Sequence, residues 1–131
     1  MYATKKELKT RLVVQRSNWQ RGDWNSEFFV KGKYCVLGFA ALASGYETED
    51  IDKVLLPEDL AEIKGIMRKL VIRRTAKYRR SHVAVAGPYE DRRIVRDIWT
   101  VNDDPEMLDI IRETKLIKLF AKIGISLEFV D

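Results

Sequence analysis

The chain has 131 residues, of which 46 % are apolar and 34 % charged, with one cysteine and a formal net charge of +4. That length suits a single domain spanning residues 1–131, the apolar share excludes wholesale disorder, and a lone cysteine excludes an internal disulfide framework. The longest apolar stretch, Tyr34 to Ser44, falls far short of the about 20 residues that cross a bilayer. The basic N-terminus MYATKKELKTRL lacks the apolar segment of a signal peptide, so a cytoplasmic protein without membrane association is expected.

Taken in chain order, Thr4 and Glu7 match a capping box. Leu8, Leu12 and Val13 then share one helical face, which predicts a first helix ending near Ser17. SNWQRGDWNSE reads as a loop carrying two tryptophans. Phe28 to Val30 predicts a short strand turning at Gly32. Tyr34 to Ser44 predicts a helix that is apolar all round and so buried on all sides, with Gly45 at its end. Thr48 caps a short helical turn. Pro57 suits the first position of a longer helix with Leu60, Ile63, Met67, Leu70 and Val71 on one stripe, weakened by Gly65 and ending between Arg73 and Arg80.

SHVAVAG predicts a short strand, whereas YEDRRIVRDIWTVND fits a helix or a strand end equally well. Asp103 or Asp104 then caps a helix with Pro105 at its first position. Within it, Met107, Leu108, Ile110 and Ile111 face one way and Leu116, Leu119, Phe120 and Ile123 another. That predicts either a kink near Arg112 to Lys115 or burial on two sides. Gly124 stops the helix, and ISLEFVD is a terminal strand. The expected fold is α+β: a mainly helical domain with a small antiparallel or mixed sheet, from EFFV, HVAV and SLEFV, packed on a buried central helix.

One spaced pattern stands out: Trp19-x-x-Gly22 after the first helix, Tyr34-Cys35-x-x-Gly38 opening the buried helix, and Val101-Asn102-Asp103 before another. In this pattern the chain resembles an uncharacterised family of short bacterial and phage proteins, a domain of unknown function. The likeness covers residues 4–45 and 98–123. It implies that Trp19, Gly22, Cys35, Gly38, Asn102 and Asp103 belong together, and it implies no activity.

Two function classes follow from the residues themselves. The first is binding. Between Lys64 and Arg80 lie eight basic residues and no acidic one, Arg73, Arg74, Lys77, Arg79 and Arg80 among them. Such a field attracts anions, although basic residues near a helix C-terminus are also commonly just solvated. Trp19, Arg21 and Trp24 offer an aromatic platform beside it, or Trp19 closes the core instead. The partner expected is a host protein or an anionic ligand, a nucleotide or a nucleic acid, bound by a small protein of the phage-encoded kind.

The second class is a papain-like cysteine hydrolase. A Cys at the start of a buried helix, a His opening a later strand and an Asn or Asp beyond it follow that enzyme order, and Cys35, His82 and Asn102 or Asp103 supply it. Gln15 or Gln20 would be the oxyanion donor. The competing reading is a packed core thiol, because free cysteines are among the most buried residues. No cofactor is expected, and no zinc or phosphate-loop motif is present. The carboxylates of NDDPE suit weak Mg²⁺ binding or, more simply, helix capping.

Overall fold

A computed structural model describes residues 10–24, 27–70 and 86–131. The fold is α+β, and the two ends of this stretch are tied together. Strand β1 (Thr10–Gln15) pairs in parallel with the C-terminal strand β4 (Ile125–Val130), in register from Thr10 opposite Ile125 to Gln15 opposite Val130. The predicted first helix is therefore corrected over its second half. Leu12 and Val14 are buried while Val13 is 43 % exposed, the period-2 alternation of a strand with one buried face. The capping box at Thr4 and Glu7 lies outside the described residues.

After a 3₁₀ turn (Arg16–Asn18) and the tryptophan loop, β2 (Phe29–Val30) and β3 (Lys33–Tyr34) form a hairpin. Its two turn residues, Lys31 and Gly32, have φ of 52° and 80°, as a two-residue primed turn requires. The strand predicted here and its turn at Gly32 are present. Because Tyr34 belongs to β3, the buried helix α1 begins later than expected, at Val36–Ala43 with Cys35 as its N-cap. Val36 to Ala41 are all buried, and Gly45 (φ 94°) ends the helix as expected.

The long helix predicted from Pro57 is not formed. Instead α2 (Thr48–Ile51) is followed by a 3₁₀ turn (Pro57–Asp59), an irregular stretch and α3 (Met67–Leu70). Gly65 adopts φ 59°, and a Cβ there would lie 2.9 Å from Ser44 Cα. The chain is thus folded tightly against the C-terminus of α1, where Ser44 Oγ accepts from the Met67 N–H at 3.2 Å. Tyr46 Oη accepts from the Lys64 N–H and donates to the Glu62 carbonyl. Leu60, Met67 and Leu70 still reach the core, by a route that helical periodicity does not describe.

Helix α4 (Ala86–Asp103) resolves the ambiguous segment as helix, with Val95 and Ile98 buried. It runs through Asn102 and Asp103, so these residues end a helix rather than precede one. Asp104 Oδ1 accepts from the Glu106 N–H in the connecting turn, and α5 (Asp109–Lys122) starts four residues beyond Pro105, with Leu108 as N-cap. Neither alternative for its apolar residues holds. Leu116 and Phe120 enter the core, while Leu108, Ile110 and Ile111 are 67 %, 76 % and 45 % exposed. Gly124 (φ 79°) then turns the chain into β4 as expected. Among the described residues the strands form two separate two-stranded sheets, one parallel and one antiparallel, rather than one sheet; HVAV lies outside them.

Candidate functional site

The N-terminus of α1 is where the residues of the W-x-x-G, Y-C-x-x-G and N-D pattern meet. A helix N-terminus presents backbone N–H groups with no partner inside the helix. Cys35 Sγ accepts one of them, from Gly38 at 3.4 Å. A second, from Val36, is accepted at 3.2 Å by Asn102 Oδ1, reaching across from the end of α4. The same oxygen accepts the indole N–H of Trp19 at 2.8 Å. The amide Nδ2 of Asn102 donates to the Gln20 carbonyl at 3.2 Å and to Asp103 Oδ1 at 2.9 Å. The backbone joins in, because the Gly22 N–H donates to the Asn102 carbonyl at 2.8 Å. Asn102, Asp103, Trp19 and Cys35 are all buried, so this junction is a satisfied polar network within the core, of the kind that specifies one arrangement.

One member was missed by sequence reasoning. Arg112 is 2 % exposed. Its guanidinium donates to the carbonyls of Val101 (2.8 Å), Asn102 (3.0 Å) and Met107 (2.7 Å) and to Asp109 Oδ1 (3.2 Å). It thereby covers the carbonyls that α4 leaves open at its C-terminus. The signal was there: Arg112 lies four and eight residues before Leu116 and Phe120, a cation at core spacing.

This setting defines the chemistry open to Cys35. Burial pushes the thiol up to about 12 and the charge of Asp103 adds to it, while the Gly38 N–H opposes. A hydrolase nucleophile needs the thiolate, and this environment favours the thiol. Cys35, Asn102 and Asp103 are brought together, whereas His82 lies outside the described residues. Raising the thiol from 9.0 to about 12 lowers the thiolate fraction at pH 8 about a thousand-fold. Iodoacetamide is expected to alkylate Cys35 at least a hundred-fold more slowly in the native protein than in urea. Equal rates would remove the core-thiol reading.

The predicted aromatic platform divides. Trp19 belongs to the core, stacked against Phe129 at 4.7 Å between centroids. Arg21 lies over its indole at 4.6 Å and pairs with Asp109 at 2.8 Å. Trp24 is 54 % exposed. Arg73, Arg74, Lys77, Arg79 and Arg80 lie outside the described residues.

A different basic feature is in view. Helices α4 and α5 pack together and leave a groove of about 290 Å³ between them. Asp97, Thr100 and Val101 line one wall, and Lys115, Lys118, Leu119 and Lys122 the other. These positions recur at helical intervals, so each wall is one face of its helix. Charge is segregated around α5. Its carboxylates are paired with arginines: Glu113 with Arg16 at 2.8 Å and Asp109 with Arg21 at 2.8 Å, both from outside the helix, and Asp109 also with Arg112 of α5 itself. Hydrogen bonding from Arg21 holds the Asp109 carboxyl below its usual range. Lys115, Lys118 and Lys122 line the groove face. At the far end, Lys69 Nζ donates to the Ile123 carbonyl at 3.2 Å, which brings the described part of the 64–80 basic run to the end of α5.

Among the described residues, no group of three or more His, Cys, Asp or Glu side chains is placed to hold a metal ion, and no helix is long and apolar enough to cross a membrane. Comparison with protein-family models, with curated proteins and with solved structures finds no match to this chain.

Proposed function

We propose that this is a cytoplasmic binding protein with no chemistry of its own, and that its ligand is an anion held in the groove between α4 and α5. The observation that carries this reading is the convergence of Lys115, Lys118 and Lys122 on one groove with, among the described residues, one carboxylate, Asp97, on the opposite wall. Val101 and Leu119 give the groove an apolar floor, and low-dielectric walls focus the field of the charges lining a cleft. A phosphate-bearing ligand, nucleotide or nucleic acid, suits three ammonium groups beside a threonine hydroxyl. The protonated state favoured for Cys35 supports binding over hydrolysis.

The test is a panel of anions (ATP, polyphosphate and a short oligonucleotide) titrated at low and moderate salt. At least one should bind saturably, with an affinity that falls as salt rises. Replacing Lys115, Lys118 and Lys122 together by Gln should weaken that binding about 10- to 100-fold, as loss of three partly exposed charge contacts implies. All three lysines are exposed, so the variant should keep its thermal midpoint. Failure of every anion to bind, or a triple variant that binds like the parent, would overturn the proposal.

A further inference from the structure

We infer that the anion is a single nucleic-acid strand, lying along α5 with its phosphodiester backbone following a row of lysines from Lys115 to Lys69. This rests on the binding reading above and commits it to one ligand class. The deciding feature is how the cations are spaced. A compact anion such as a lone phosphate is best held by donors that converge on one point. Here Lys115, Lys118 and Lys122 lie three and four residues apart on one helix, so the row extends about 10 Å along the axis at 1.5 Å per residue. Lys69 is not part of the groove lining, but its Nζ donates to the Ile123 carbonyl and so adds a fourth cation just beyond the last turn. A linear array of positive charge complements a linear array of phosphates.

The walls point the same way. Asp97 stands on the α4 side of the groove, so phosphate is favoured along α5 and disfavoured across from it. One line of cations bounded by a carboxylate suits one backbone better than the two of a duplex. Thr100 adds a neutral hydroxyl able to donate to a phosphate oxygen. The apolar lining is aliphatic, from Val101 and Leu119, and among the described residues no aromatic ring lines the groove. Base stacking is therefore not provided there, and the binding should be tolerant of sequence. The two carboxylates of α5, Asp109 and Glu113, are paired with Arg21, Arg112 and Arg16, and neither lines the groove.

The experiment is fluorescence anisotropy with labelled oligothymidylates of one, three, six and twelve nucleotides, a duplex of the longest, and vesicles of anionic lipid and an acidic peptide as competitors. Affinity is expected to rise at least about tenfold from the mononucleotide to the hexanucleotide and then level off. Four phosphate contacts give a salt slope of about −3 for a single strand, or about a 50-fold loss between 50 and 200 mM salt. Lys118→Gln and Lys69→Gln should each reduce the slope by about 0.7, with little difference between thymidylate and mixed sequences. A mononucleotide bound as tightly as the longest strand would overturn the strand assignment while leaving the binding reading in place. A duplex, vesicle or peptide bound more tightly than the strand would also overturn it. No binding by any of these probes would take both readings down.

Discussion

Gly38→Ala is expected to destabilise the fold by about 3 kcal/mol or more, against the normal helix preference for alanine. In an exposed helix the same change would stabilise by about 1 kcal/mol, so the sign itself is diagnostic. A Cβ on Gly38 would lie 2.0 Å from the Phe28 carbonyl oxygen, 2.9 Å from its carbon and 3.2 Å from Tyr34 Cβ. The obstacle is backbone, and that backbone is held. The Phe28 N–H donates to the Val54 carbonyl at 2.8 Å, and its carbonyl accepts from the Cys35 N–H at 3.2 Å. The Phe28 side chain is completely buried. Relief would require moving α1, which is itself covered on all sides, and overpacking of such sites costs about 1–3 kcal/mol or more. Urea unfolding of the variant measures it. A change in stability within 1 kcal/mol of zero would mean that the hairpin and α1 are not packed as described.

Asn102→Leu is expected to cost about 3–5 kcal/mol and to lower the thermal midpoint by about 10 °C or more. The side chains are similar in size, so the loss is almost wholly one of hydrogen bonding. Leucine leaves the Trp19 indole N–H and the Val36 N–H, both satisfied by Asn102 Oδ1, without that acceptor. It also removes the donor to the Gln20 carbonyl. Each buried donor or acceptor stripped of its partner costs about 1–3 kcal/mol. Trp19→Phe removes one donor and, because Trp19 is fully buried, also leaves a cavity, so its own cost combines the two. The double variant should be better than the sum of the two, because the indole N–H is no longer there to be orphaned. Strict additivity, or a loss below about 0.5 kcal/mol for Asn102→Leu, would contradict the junction.

Much of the local structure was legible because local chemistry decides it. The all-round apolar character of Val36 to Ala43 marked a buried helix, and the glycines at 32, 45 and 124 marked the turns that follow. Long-range pairing decided the rest. Leu12 and Val13 lie at helical spacing from Leu8, yet Thr10–Gln15 is a strand because β4, over a hundred residues later, supplies its ladder. The stripe from Leu60 to Leu70 contains the right core residues, but the chain is irregular between the turn at Pro57–Asp59 and Met67, and Gly65 takes a positive φ, close against Ser44, that a helix does not allow. Asp103 or Asp104 reads as the cap of a following helix, with Pro105 at its first position. Asn102 and Asp103 end the preceding helix instead: the Asn102 side chain serves Trp19 and α1, and Asp103 Oδ1 accepts from the Asn102 amide.

The candidate site was half visible. The spaced pattern grouped Trp19, Cys35, Gly38 and Asn102 correctly as neighbours without indicating that they form a junction in the core. The densest charge run in the sequence is residues 64–80, and the lysines of α5 are sparser. Lys115, Lys118 and Lys122 alternate with Leu116, Leu119 and Phe120, so only their helical spacing places them together, and only the packing of α4 against α5 makes that face a groove.

The most direct test of that groove is amide chemical-shift mapping by NMR as a hexanucleotide is added at low salt. Saturable shifts that reverse on adding salt are expected at residues 97–101 and 115–122, with the Trp19 indole signal, bonded to Asn102 in the core, left in place. Shifts centred elsewhere on the molecule, or none at saturating oligonucleotide, would contradict the assignment of the groove as the binding site.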